Sequence, residues 1–180
     1  ILIIACVIPF FELAWAQEPT QMTLEGSFSE GSSGSVCVAC VPPSSSGSIK
    51  LVVDFVTGSV SGNISGEGGG QASARCCDEN GQVVAGEAIA QGTISYSGSI
   101  SGSVDPQSGV ITAKATVQGS WSSSFVHCGC PRGCAAPGQG SYTQEITITG
   151  VVTRDGSASG QINWATARCG HGGSWSAQAT

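Results

Sequence analysis

Apolar and polar residues alternate with a period of two along most of this chain, and Gly, Asn and Asp punctuate the alternation at short intervals. A period of two with such punctuation predicts strands joined by tight turns. Ser48 to Thr57 (Ser-Ile-Lys-Leu-Val-Val-Asp-Phe-Val-Thr) is the most apolar stretch and is expected to form a central strand. Asn80-Gly81 and Asp155-Gly156 carry the hairpin signal, while Asp105-Pro-Gln-Ser-Gly109 reads as a longer turn. No segment after residue 16 keeps a 3.6-residue period long enough to predict a helix. The expected fold is all-β, an antiparallel β-sandwich or closed meander of roughly eight to eleven short strands.

Three stretches share one pattern: Gly58-Ser-Val-Ser-Gly-Asn-Ile64, Gly98-Ser-Ile-Ser-Gly-Ser-Val104 and Gly156-Ser-Ala-Ser-Gly-Gln-Ile162. In an extended chain Val60, Gly62 and Ile64 share one face and Ser59, Ser61 and Asn63 the other. The unequal spacing of the copies argues against a solenoid. Two later stretches end on Gly-Ser-Trp-Ser, around Trp121 and Trp175, which predicts an imperfect duplication into two halves. Glycine on an inward face weakens a strand unless a large ring covers it, and Trp121, Trp164 and Trp175 are suitable covers. Trp121 and Trp175 are the candidate binding residues. Trp121, set among Ser120, Ser122, Ser123 and Ser124, is the one expected to be exposed.

The two ends of the chain differ in character. Residues 1–16 form an apolar run ending in Ala14-Trp15-Ala16, just before the polar Gln17-Glu18-Pro19, and read as a secretory signal peptide. The run is too short for a membrane span, which needs about 20 residues. It opens with Ile rather than Met, so the basic segment expected ahead of it is missing and the sequence reads as truncated at that end. Ile3-Ile4-Ala5-Cys6 also fits a lipidation signal on Cys6. A third reading keeps the apolar segment, as a filament subunit would. Residues 17–34 are polar and Gly/Ser-rich, expected as a flexible lead-in. Residues 35–180 make up a single disulfide-rich β domain.

Charged residues are only 10% of the chain, with 6 basic against 12 acidic, and the net charge is −6. An ordinary domain carries about 25% charged residues. The basic residues are scattered, which argues against nucleic acid and against anionic membrane surfaces as partners. No membrane contact is expected of the mature form unless Cys6 is lipidated or the apolar segment is retained.

Setting Cys6 aside leaves eight cysteines: Cys37, Cys40, Cys76, Cys77, Cys128, Cys130, Cys134 and Cys169. An even number in an exported chain reads as four disulfides. Cys76 and Cys77, adjacent in an extended stretch, point to opposite faces and require separate partners. Four cysteines precede residue 78 and four follow residue 127, so pairing is expected within each half. Cys37 and Cys40 would then pair with Cys76 and Cys77, and Cys169 would join the Cys128–Cys134 cluster. The alternative is a metal site from His127, Cys128, Cys130, Cys134, Cys169 and His171, whose thiolate and imidazole ligands suit zinc or copper. Its spacing matches no standard zinc knuckle, and no cofactor is expected.

Catalytic motifs are missing: there is no G-x-S-x-G elbow, phosphate loop, H-E-x-x-H or dinucleotide fingerprint. Cys37-Val-Ala-Cys40 has redox spacing, but Pro42-Pro43 stops the helix that would lower a thiol pKa. Asp54, Glu67, Glu87, Asp105 and Glu145 are dispersed acids, and a glycosidase pair would have to assemble in space. The function expected is a non-catalytic module, secreted, periplasmic or at the cell surface, either structural or binding a surface polysaccharide or protein. The alternatives are a secreted hydrolase, an extracellular Cys/His metal-binding protein and a filament subunit.

Overall fold

The computed structural model describes residues 20–164 and 169–180. The expected signal segment, Cys6 within it and residues 17–19 lie outside the described residues. The chain forms eight strands: β1 (Gln21–Ser33), β2 (Ser44–Asp54), β3 (Ser59–Cys77), β4 (Val83–Val104), β5 (Val110–Cys128), β6 (Gly138–Val152), β7 (Ser157–Trp164) and β8 (Gly170–Ala179). Each pairs antiparallel with the next, and β1 pairs with β8, so the meander closes into a barrel. The sandwich alternative therefore falls away, because a sandwich would leave β1 and β8 as edges. No strand is central in a closed sheet, and β2 has two neighbours like every other strand. Several strands are long rather than short, with β4 running 22 residues.

Register sets the shape of the barrel. The ladder that leaves β1 at Met22 runs through Val53, Val60, Gly102, Ala113, Ile148, Ile162 and Gly173, and returns to β1 at Glu30. One circuit thus shifts the register by eight residues, 22 to 30, the stagger that tilts the strands of a closed sheet. All these positions face inward. The outward positions are Ser, Thr, Asn, Gln, Lys and Glu with few exceptions, the reverse of a membrane barrel.

Residues 21–33, expected as part of a flexible lead-in, form β1. Met22, Leu24 and Phe28 alternate inward there and are buried, which makes the segment a full wall of the barrel. The end of the barrel near the β2–β3, β4–β5 and β6–β7 turns is filled by aliphatic side chains, Leu24, Leu51, Ile111 and Ile148 among them. Each of these turns holds a positive-φ glycine, Gly58, Gly109 or Gly156. Each also carries an aspartate, Asp54, Asp105 or Asp155, whose carboxylate accepts backbone N–H bonds from residues two or three further on. These bonds hold the Asp54 and Asp105 carboxyls below their ordinary range. Bonds from Ser157 and Thr153 hold Asp155 down to about 2.

The repeated pattern does not make two equivalent halves. Gly58 and Gly156 sit in turns, whereas Gly98 is inside β4 facing inward. The shared element is the next glycine: Gly62, Gly102 and Gly160 all face the interior. Trp175, 2% exposed, lies over Gly150 and Gly160, where an added Cβ would come within 2.7 Å of the indole. Its Nε1 donates to the Thr149 carbonyl at 3.1 Å. The ring occupies the space the glycines leave.

All eight cysteines lie at the opposite end, the mouth. They pair as Cys37–Cys77, Cys40–Cys169, Cys76–Cys130 and Cys128–Cys134. Cys76 and Cys77 do take separate partners, as alternation requires. The expectation of pairing within halves is overturned, because Cys40–Cys169 and Cys76–Cys130 both cross it. Barrel closure is the reason for the first, since it makes the β1–β2 loop a neighbour of the β7–β8 loop, while the second joins the end of β3 to the β5–β6 loop past β4. The bridges link all four mouth connections in series, and four disulfides point to an oxidising compartment.

Two outcomes follow. Trypsin cleavage of the unreduced, thiol-blocked protein after Lys50, Lys114, Arg132 and Arg154, together with Arg75 and Arg168, should leave every cysteine-bearing peptide in one covalent species. Two separate species, split between the halves of the chain, would refute this connectivity. Second, Trp175→Ala should cost roughly 3–5 kcal/mol in urea unfolding, since it empties the space over two glycines. Trp121→Ala, at a position 41% exposed, should cost much less.

Candidate functional site

Two regions of the barrel gather polar side chains and are the candidate sites, one outside and one at the mouth. The outer region spans β2 to β5, where the saddle form of a twisted barrel makes the surface concave along the strands. A continuous groove runs there. It is shallow and open to solvent: its middle is a depression of about 690 Å³ beside Ser48, Ser65, Ser97 and Gln118, which passes into one of about 700 Å³ beside Ser44, Glu67 and Thr93. Ser46, Glu67, Ser95 and Ser120 line both parts. At one end lie Glu25, Lys50 and Asn63, and at the other Gln71, Gln91 and Ser124.

Alternation and register generate this lining. Ser46, Glu67, Ser95, Ser120 and Ser141 form one row across five strands, and Ser48, Ser65, Ser97, Gln118 and Thr143 the next. Neighbouring hydroxyls bond across strands: Ser48 to Ser65 at 3.0 Å, Ser95 to Ser120 at 3.0 Å and Thr93 to Ser122 at 2.8 Å. These bonds order the side chains and leave further lone pairs facing solvent. Each hydroxyl both donates and accepts.

Three acids border the groove, Glu25, Glu30 and Glu67, and the Glu30 carboxyl is turned to Ser45, Tyr96 and Trp164 rather than into the track. Glu25 is ion-paired with Lys50 at 2.6 Å, and Lys50 pairs in register with Asn63. Asn63 and Glu67 are four residues apart on one strand, so the Cα atoms of Glu25 and Glu67 are roughly 13 Å or more apart, and the Lys50 ion pair engages the Glu25 carboxylate. Two-carboxylate hydrolysis needs about 5–9.5 Å.

The second region is inside the mouth. Glu30 faces inward from β1 and is 4% exposed. Its Oε2 accepts from Ser45 Oγ at 2.7 Å and Tyr96 OH at 2.8 Å, and its Oε1 accepts from Trp164 Nε1 at 2.8 Å. Trp164 is ringed by Tyr96 at 5.0 Å, Tyr142 at 6.4 Å and His171 at 5.6 Å between centroids. Tyr142 OH and His171 Nδ1 are buried atoms without a hydrogen-bond partner. Burial, aided by the Glu30 charge, pushes the Tyr142 hydroxyl up to about 12 and raises Tyr96 further. Burial lowers His171, with Glu30 opposing it.

The residues singled out from sequence divide between these regions and the staples. Trp121 lies on the inner face of the flared lip, in one register row with Glu30, Ser45, Ile94 and Gly140. Its indole stands over Gly138 and Gly140. The serines on either side of it, Ser120 and Ser122, point the other way into the groove, so Trp121 and the hydroxyls do not share a surface. Trp175 is buried in the wall. The sulfurs of Cys128, Cys130 and Cys134 lie within 4.8 Å of one another, but each is bonded in a disulfide, as is Cys169. In this oxidised chain the proposed metal set has no free thiolate, and His171 packs on Trp164 instead.

Glu30, Ser45, Tyr96, Tyr142 and Trp164 escaped sequence reasoning as site residues. The signal for Glu30 was present: Met22, Leu24 and Phe28 fix the inward parity, and Glu30 continues it. Comparison with family models, characterised proteins and solved structures gives no match.

Tyr96 and Tyr142 are the two tyrosines of the chain, and both sit near Glu30. A hydroxyl whose folded pKa is raised contributes stability that is intact below about pH 10 and lost as pH rises towards the folded value. Phenolate absorbance of the folded protein should therefore stay flat through pH 10 and rise only near pH 12 or with unfolding. A phenolate step at pH 10 with circular dichroism unchanged would contradict the geometry.

Proposed function

We propose that this chain is an exported, non-catalytic binding module that holds a hydroxyl-rich polymer, a cell-surface polysaccharide, along the groove on β2 to β5. The observation that carries this reading is the groove itself, a continuous concave track whose side chains are almost all hydroxyl or amide. Such groups donate and accept with equal ease and match the hydroxyls of a sugar chain, which present the same two roles. Charge gives little to bind an ionic partner: the groove holds Glu67 near its centre and the neutralised Glu25–Lys50 pair at one end. Export is supported by the four disulfides and by the Ala-x-Ala motif ahead of Gln17. A closed sheet and linked mouth loops keep the track rigid, which lowers the entropy lost when a flexible polymer binds.

Pull-down on insoluble polysaccharides, followed by titration with soluble oligosaccharides, tests this. Ser65→Arg and Ser97→Arg each put a long side chain into the track from an exposed position, where substitutions usually leave stability within about 0.5 kcal/mol. Each should weaken binding at least about tenfold, equivalent to about 1.4 kcal/mol, with melting unchanged. Retention by no polysaccharide, or equal retention of wild type and both variants, would overturn the proposal.

A further inference from the structure

The mouth holds a buried carboxyl, Glu30, that has no ion-pair partner among the described residues. Every hydrogen-bond partner of Glu30 is a neutral donor, namely a serine hydroxyl, a phenol and an indole. The indole N–H can only donate, so Oε1 accepts, and Oε2 takes two hydroxyls. This donor set matches the acceptor-only, ionised carboxylate. Among the described residues the ion pairs are Lys50–Glu25, Lys114–Glu145 and Arg132–Glu79, none of which involves Glu30. A buried charge without a counter-charge is costly to a fold, and such a group calls for a reason.

Around this carboxyl stand aromatic rings: Tyr96 and Tyr142, each packed against Trp164, with Trp121 on the lip in the register row of Glu30. Aromatic faces attract cations, most strongly those of tryptophan. The same region contains two polar atoms in want of a partner, Tyr142 OH and His171 Nδ1. Burial favours the neutral imidazole, whose unprotonated nitrogen is an acceptor. Charge, π faces and acceptors all favour one kind of guest, a positively charged donor.

We propose that the barrel mouth is a binding site for an organic cation, an ammonium or guanidinium group on an apolar stem, bound over Trp164 and Tyr142 with Trp121 against the stem. Glu30 acts through its field rather than by direct contact, because its oxygens are already engaged. Tyr142 OH and His171 Nδ1 accept the N–H bonds. Glu30 and Ser45 also border one end of the outer groove, but their side chains bond to each other on the inner face of the sheet, so the proposal stands or falls independently of the polysaccharide reading.

The test is an NMR titration of the unreduced protein, following the Trp164 indole N–H that bonds to Glu30. The probes are n-butylammonium and n-butylguanidinium, with n-butanol and n-butyrate as the neutral and anionic counterparts of the same stem. The cationic probes should give a saturable shift that the other two do not. Trp121→Ala, on the exposed lip, should weaken the response several-fold with the fold intact. Glu30→Gln should weaken it at least about tenfold. If Glu30→Gln does not fold, Tyr142→Phe serves in its place and should also weaken binding. Ser65→Arg and Ser97→Arg in the groove should leave the cation response unchanged. Equal shifts from butanol or butyrate, no saturable shift from either cation, or undiminished binding by folded Glu30→Gln would overturn the proposal.

Discussion

Rings standing over glycines are the interaction on which this barrel depends. Glycine in a strand carries an entropic cost and leaves nothing to pack, yet inward positions here are repeatedly glycine. Large rings from neighbouring strands fill the deficit. Trp175 covers Gly150 and Gly160, Phe28 and Tyr96 close on Gly66, Tyr142 lies against Gly119, and Trp121 covers Gly138 and Gly140. One register row shows the arrangement directly: Phe28, Gly47, Gly66, Tyr96, Gly119, Tyr142. A ring buries far more area than an aliphatic side chain, so a chain with few aromatics can still fill a barrel. The absent Cβ atoms are what let those rings lie flat against the sheet.

Closure then distributes the chemistry. The aliphatic end is dense and its turns are held by Asp54, Asp105 and Asp155. At the mouth β3, β4 and β5 run past their neighbours, and the loops are tied by disulfides. Polar and aromatic groups can therefore face inward there, Glu30 above all. The outer wall is built by the same alternation with the opposite sign: inward rings and glycines are flanked mostly by outward hydroxyl or amide side chains, and register aligns these into rows.

Much of this could be read from the sequence, with failures that have physical causes. Period-two alternation gave the strands from Ser35 onward, and the Asn80-Gly81 and Asp155-Gly156 signals fall at real turns. β1 was hidden because Gly26 and Gly31 interrupt its apolar face, although Met22, Leu24 and Phe28 hold the period. Adjacent Cys76 and Cys77 were separable by parity alone. Their partners were not, since the meeting of the β1–β2 and β7–β8 loops is a consequence of closure. Trp121 was expected to be exposed beside hydroxyls, and the neighbouring serines drew attention to the wrong face. Alternation places Ser120 and Ser122 opposite the ring they flank. Convergence on Glu30 draws on β1, β2, β4 and β7, and no local pattern encodes it.

The seam between β1 and β8 is where closure can be tested most directly. Its register pairs Leu24 with Ala179, Phe28 with Trp175 and Glu30 with Gly173, joining the two ends of the meander. Native-state hydrogen exchange resolves how each pairing opens. If rings over glycines close the barrel, amides of residues 24–30 and 173–179 that bond across the seam exchange as slowly as those between β4 and β5, and only through global unfolding. Seam amides that exchange far faster, with no dependence on denaturant, would mean an open sheet with two edges and would contradict the account.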